Sequence, residues 1–255
     1  MSATSLGLKN MDGIEFAARF SYITNFLRFC GPEEASTQFL EYIKNKKNSE
    51  EIKESLKRFE GLYPYLSAIA EKHNKNFYDY DVVEAYWIGN KLLDSFEDDD
   101  LKIIIKKLMQ RGLPKSIGTK LIKNLPSGFA PHHNFNVFYV GVGRTTGSVE
   151  TTLQNMDNCR TSWGYVIEVQ CNSLIVKTQS LKKIKNKFYL DEEQTKTAVY
   201  LKEMLPEIKN GDVVVLHWGF APIILEEKQV ENLKKYTNLV LDVMNNINSQ
   251  KNFIF

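Results

Sequence analysis

The chain has 255 residues, 43% of them apolar and 25% charged, with 33 Lys and Arg against 31 Asp and Glu. A net charge of +2 gives no electrostatic case for nucleic acid or an anionic membrane, and no apolar run reaches the ~20 residues a membrane span needs. Only Cys30, Cys159 and Cys171 occur, too few for a disulfide framework and suited to a reducing compartment.

No basic segment followed by an apolar stretch opens the chain, so a cytoplasmic protein is expected. The size suits one large or two modest domains whose core needs no staples. Lysine runs at 44–47 and 182–187 read as solvated surface.

Residues 1–10 read as a loose tail. Over 11–29 apolar residues recur at helical spacing (Ile14, Ala18, Ile23, Phe26, Leu27), with Asp12 as the cap. Cys30-Gly31-Pro32 breaks that helix and starts another over 33–46. Further helices are expected over 49–59, ended by Gly61, over 62–73, and over 80–93. Asp98, Asp99 and Asp100 suit a helix N-terminus, and Leu101, Ile104, Ile105 and Leu108 give the apolar stripe that follows. A short helix over 114–124 completes an all-α segment.

The pattern changes at Leu125-Pro126-Ser127-Gly128. Residues 131–140 alternate toward a strand, Gly141-Val142-Gly143 reads as a turn rather than a phosphate loop, and a short helix capped by Ser148 is expected over 148–156. From Trp163 the reading is β: strands at 165–169 and 174–178, weaker ones at 188–190 and 197–201, and a buried strand at 213–216 after the turn Asn210-Gly211-Asp212. Val230, Leu233, Thr237, Val240, Met244 and Ile247 then lie on one face of a helix over 226–247. The expected fold is α+β: an all-α N-terminal domain (1–125), a bridging segment (126–156), and a small OB-like β-barrel with a long C-terminal helix (157–255).

The chemistry concentrates on Cys159 and His217, a thiol and an imidazole at the ends of two neighbouring strands, which together suit a soft metal. His132 and His133 lie in the bridging segment. On a strand they point to opposite faces, so only one of them can approach Cys159. Cys30, at a helix break, and the aromatic group Tyr78, Tyr80, Tyr86 and Trp87 read as packing. No Ser–His–Asp order or HExxH motif is present.

Residues 157–248 resemble the HypC/HupF-type nickel–iron hydrogenase maturation chaperones. Cys159 precedes Gly164 at the family's cysteine-to-glycine spacing, with Trp163 in place of its proline. Gly211-Asp212, the valine strand, His217-Trp218-Gly219-Phe220-Ala221 and an acidic-start helix match its later signature. The resemblance implies an OB-like barrel and an accessory protein rather than an enzyme. It also implies iron as a cyanide- and carbonyl-bearing precursor, with Cys159 as ligand, His217 orienting or ligating, and Trp163 and Gly164 beside them. The implied partner is a hydrogenase large subunit or another maturation protein. Residues 29–32, 82–90 and 131–135 also resemble an uncharacterised prokaryotic family. Two other readings stand beside the chaperone: an enzyme with Cys159 as a nucleophile activated by a nearby histidine, and a non-catalytic interaction module.

Overall fold

The computed structural model describes residues 11–250; the tail expected over 1–10 lies outside them. Seven helices come first: α1 (Gly13–Phe26), α2 (Ala35–Asn45), α3 (Ser49–Lys57), α4 (Tyr63–His73), α5 (Tyr80–Trp87), α6 (Asp98–Met109) and α7 (Lys115–Lys123). Asp12 caps α1, its carboxylate accepting from the Glu15 N–H at 2.7 Å. Helix α5 stops at Trp87, short of the expected 93. Gly89 follows with φ +92°, and a Cβ there would sit 2.0 Å from the Tyr236 ring. A separate 3-10 turn, Lys91–Ser95, completes the span.

The bridging segment is helical where a strand was expected. The helical turn α8 (His133–Phe135) runs on as a π-helix, Asn136–Gly141. Val137, Phe138, Tyr139 and Val140 are all buried, so an apolar run enclosed on every side carries neither period cleanly. Helix α9 (Leu153–Cys159) starts later than the expected helix, because Thr152 rather than Ser148 provides the cap by accepting from the Asn155 N–H at 3.1 Å.

Strands β1 (Ser162–Val169), β2 (Ser173–Ile184), β3 (Lys187–Val199) and β4 (Val213–Leu216) form one antiparallel sheet in the order β3-β2-β1-β4. The expected fragments at 174–178, 188–190 and 197–201 belong to one long hairpin. It is turned by Lys185 and Asn186, both at positive φ as a type I′ turn requires. Much of β3 is solvent-facing, which dilutes its alternation. The fold is thus α+β, and the four-stranded sheet is open rather than a closed barrel. β4 has only four residues, and the segment after it pairs through isolated bridges (Val199 with Phe220, Val214 with Ile224) instead of a continuous ladder.

Helix α10 (Glu227–Gln250) closes the molecule. One apolar cluster joins Phe16 and Phe20 of α1, Trp87 of α5, Phe135 of α8, Val215 of β4 and Leu233, Tyr236 and Val240 of α10. Helices and sheet therefore meet in a shared core. A second cluster fills the sheet's other side with Val166, Leu174, Val176, Met204 and Phe220.

Candidate metal centre

Three segments deliver three donor atoms to one place. Cys159 is the last residue of α9, His217 follows β4, and His133 opens α8. Pairing of Ser162 with Leu216 sets the start of β1 against the end of β4, and the Trp218 N–H donates to the Asn158 carbonyl at 2.6 Å. That fixes Cys159 beside His217. The fully buried Asn134 then ties α8 to the same spot: its Oδ1 accepts from the Thr161 N–H at 3.0 Å and its Nδ2 donates to Thr237 Oγ1 at 3.0 Å.

The donor atoms of His133, Cys159 and His217 all lie within 4.8 Å of one another, and Cys159 Sγ is 3.8 Å from His133 Nε2. Two ligands about 2.0–2.3 Å from a common tetrahedral ion stand about 3.3–3.8 Å apart, so the triad needs only a modest inward movement to share one. The residue types suit a soft or borderline transition metal. Trp87 walls the triad, its ring 4.5 Å from that of His133 and 5.3 Å from that of His217.

Burial keeps every member neutral. It pushes the Cys159 thiol well up, a hydrogen bond from the Trp218 side chain being the one opposing influence. It lowers His133 to about 4, against the pull of the Cys159 carbonyl. It lowers His217 well below the usual range, reinforced by His133 and opposed only by the Phe20 carbonyl; neither His217 nitrogen has a partner of ordinary hydrogen-bond geometry. Neutral imidazole is the form that ligates, and an ion would displace the thiol proton.

Tyr86 provides a second layer. Its single O–H lies 2.9 Å from the Gly61 carbonyl, and its oxygen 2.9 Å from His133 Nδ1. With His133 protonated on Nδ1, the chain His133 to Tyr86 to Gly61 is satisfied, and Nε2 keeps a lone pair toward Cys159 and His217 but loses its bond to the Cys159 carbonyl. With the proton on Nε2, that atom donates to the Cys159 carbonyl at 2.8 Å and Tyr86 must abandon either Gly61 or His133. The first arrangement is the one seen behind ligating histidines.

The triad opens on a cavity with about 60 Å³ for the centres of water-sized molecules, enough for roughly four to six waters. Its lining includes Ser21 and Thr24 of α1, Cys30, and Thr145, Thr146 and Ser148 from the glycine loop after the π-helix. No Asp, Glu, Lys or Arg side chain lines it among the described residues. Gly143 turns this loop with φ +76°, where a Cβ would meet the Val149 carbonyl at 1.9 Å. Trp218 and Gly219 form a second tight turn, both at positive φ, in a position where asparagine–glycine is the usual pair. A bulky residue there costs strain, and here it sets the Trp218 side chain against Cys159.

Some expected residues lie elsewhere. His132 caps α8, its Nδ1 accepting from the Asn134 N–H at 3.1 Å while its ring stacks on Tyr236. It is outside the triad, because the helical turn sends the two adjacent histidines to different sides. Gly164 is a packing residue in β1, where a Cβ would press on Val176 and Leu216 at 3.0–3.1 Å. Trp163 is buried under the Lys234 ammonium, and neither it nor Gly164 lines the cavity. Cys30, read as packing, does line it, and so do Tyr86 and Trp87; on apolar helical stretches nothing separates such residues from core.

No curated protein and no solved structure matches the chain. One family model does, over residues 9–251, running through the helices and the sheet alike. The chain belongs to the family that this model describes, a family of unknown function (DUF6390).

Proposed function

We propose that this protein is a metal-cargo carrier of the HypC/HupF type. It would hold iron, as a cyanide- and carbonyl-bearing precursor, on Cys159, His217 and His133. It would then pass the iron to a nickel–iron hydrogenase large subunit or another maturation protein. The observation that carries this reading is the meeting of one thiol and two imidazoles, from three separate segments, on one uncharged cavity.

The chemistry follows from the donor set. A thiolate is a strong ligand for soft or low-spin metal, and three protein donors leave positions open for diatomic ligands and for transfer. A closed cage of four residues would hold its ion instead of releasing it. The OB-like barrel belongs to the same proposal. The Val199 N–H donates to the Gly219 carbonyl and the Leu225 N–H to the Val213 carbonyl, at 2.8 and 2.7 Å, so residues 219–225 span the gap between β3 and β4.

The enzyme reading is weaker on one observation. Burial keeps the Cys159 thiol protonated near neutral pH, which disfavours a free nucleophile even with His133 Nε2 3.8 Å from its sulfur. The interaction-module reading leaves the unpartnered nitrogens of His217 without a purpose.

The test is anaerobic purification with metal analysis and infrared spectroscopy. Iron with cyanide and carbonyl bands, both lost in Cys159→Ala and reduced in His133→Ala, is the expected result. Protein from a hydrogenase-producing cell that carries neither iron nor such bands would remove the proposal.

A further inference from the structure

The cavity holds a second set of groups that the three donor residues leave unused. Ser21 of α1 is 1% exposed, and its Oγ has no hydrogen-bond partner, not even the carbonyl one turn back that a helical serine commonly takes. The Trp87 indole N–H is likewise buried and unpartnered, on a ring that touches both triad imidazoles. Both residues line the cavity. Buried donors are nearly always satisfied, so two on one small cavity leave it two hydrogen-bond donors for a guest to take.

Electrostatics says what kind. A divalent ion on one thiolate and two neutral imidazoles leaves a single positive charge. No acidic side chain among the described residues lines the cavity to balance it. Burying an unbalanced charge is strongly disfavoured, so the balancing charge has to come from outside the chain. The space, about 60 Å³, accommodates a compact anion of a few heavy atoms beside the donors.

We infer that Ser21 and Trp87 form a hydrogen-bond-donor pair for a small monovalent anion seated beside the His133, Cys159 and His217 donors. This deepens the metal-site reading and rests on it. The class is a compact anion of two or three heavy atoms with an acceptor at one end, for which azide and formate are the probes.

The experiment uses cobalt(II) as the metal, because its thiolate charge-transfer band reports the bond to Cys159 optically. The wild-type chain takes up cobalt with that band, Cys159→Ala does not, and azide or formate shifts the spectrum saturably. Ser21→Ala keeps the full cobalt band, and both Ser21→Ala and Trp87→Phe bind azide about tenfold or more weakly, the loss of one hydrogen bond to a charged group. Ser21→Ala removes one oxygen only and stands as the reading should Trp87→Phe fail to fold. A cobalt band that azide leaves unchanged, or shifts equally in wild type and Ser21→Ala, overturns the anion inference while the metal site stands. Absence of the band in the wild-type chain removes the metal site and the inference together.

Discussion

Tyr86 shows how much one hydroxyl can decide. Its hydroxyl competes with the Cys159 carbonyl for the single ring proton of His133: Tyr86 favours it on Nδ1, which frees the nitrogen near Cys159 and His217, and the carbonyl favours it on Nε2. Tyr86→Phe is expected to weaken metal binding about 10- to 100-fold, the usual effect of losing a partner behind a ligating histidine. It should also cost about 1–2 kcal/mol of stability, because the Gly61 carbonyl and His133 Nδ1 both lose their partner. Competition titration with a chromophoric chelator and urea unfolding measure the two separately. The cysteines divide in the same way by environment. Cys171 is exposed, while burial raises the Cys159 thiol and takes that of Cys30 up to about 12. Alkylation at neutral pH followed by peptide mapping should therefore label Cys171 first, the half-buried Cys30 more slowly, and Cys159 only as the protein unfolds. Early labelling of Cys159 would support the nucleophile reading instead. Cys159 and His217 are legible in the sequence because each ends an element beside glycine-rich signals. Ser21 and Trp87 are not, because a helical face shows that a residue is buried without showing whether its polar atom is matched.

At the scale of elements, the turn that carries His133 is held by one side chain. Asn134 bonds Thr161 at the start of β1 and Thr237 on α10, all three without solvent exposure. Asn134→Ala should cost about 3 kcal/mol, since the Thr161 N–H is left buried and unpaired and a void opens beside it. It should also weaken metal binding although no ligand has changed, because His133 is then no longer held to the chain beside Cys159. A shift in the urea midpoint with unaltered metal affinity would mean that Asn134 serves packing alone. The same segment explains the main misreading. Residues 131–140 alternate in type, yet they are enclosed by α4, α5, α7 and α10, so burial is uniform and the apparent period of two carries no information. Helix α10 was plain because one of its faces meets solvent, and the long hairpin was fragmentary because much of it meets solvent on both.

For the whole molecule the three central histidines set the response to acid. His132, His133 and His217 are buried and neutral, held by burial to about 3, about 4 and well below the usual value. In the unfolded chain each titrates near 6.5. The unfolded state therefore binds more protons as pH falls, and stability declines from about pH 6.5 downward, with no histidine contribution to the slope above it. Each group adds up to about 1.4 kcal/mol per pH unit, so three together approach about 4 kcal/mol per unit. Against a total of about 5–15 kcal/mol, unfolding within roughly one to four units below that onset is expected. Urea unfolding between pH 8 and pH 4 should show a plateau and then this steep fall. A bound ion adds a term of known form, about 2.7 kcal/mol at a free concentration a hundredfold above its dissociation constant. Because protons compete for the Cys159 thiolate across this range, and for His133 and His217 only in stronger acid, that gain should grow with pH and shrink in acid, steepening the fall. In Cys159→Ala the metal-dependent gain should be much reduced while the acid limb of the metal-free protein persists. If the gain were equal in both chains, the ion would be binding somewhere other than this triad.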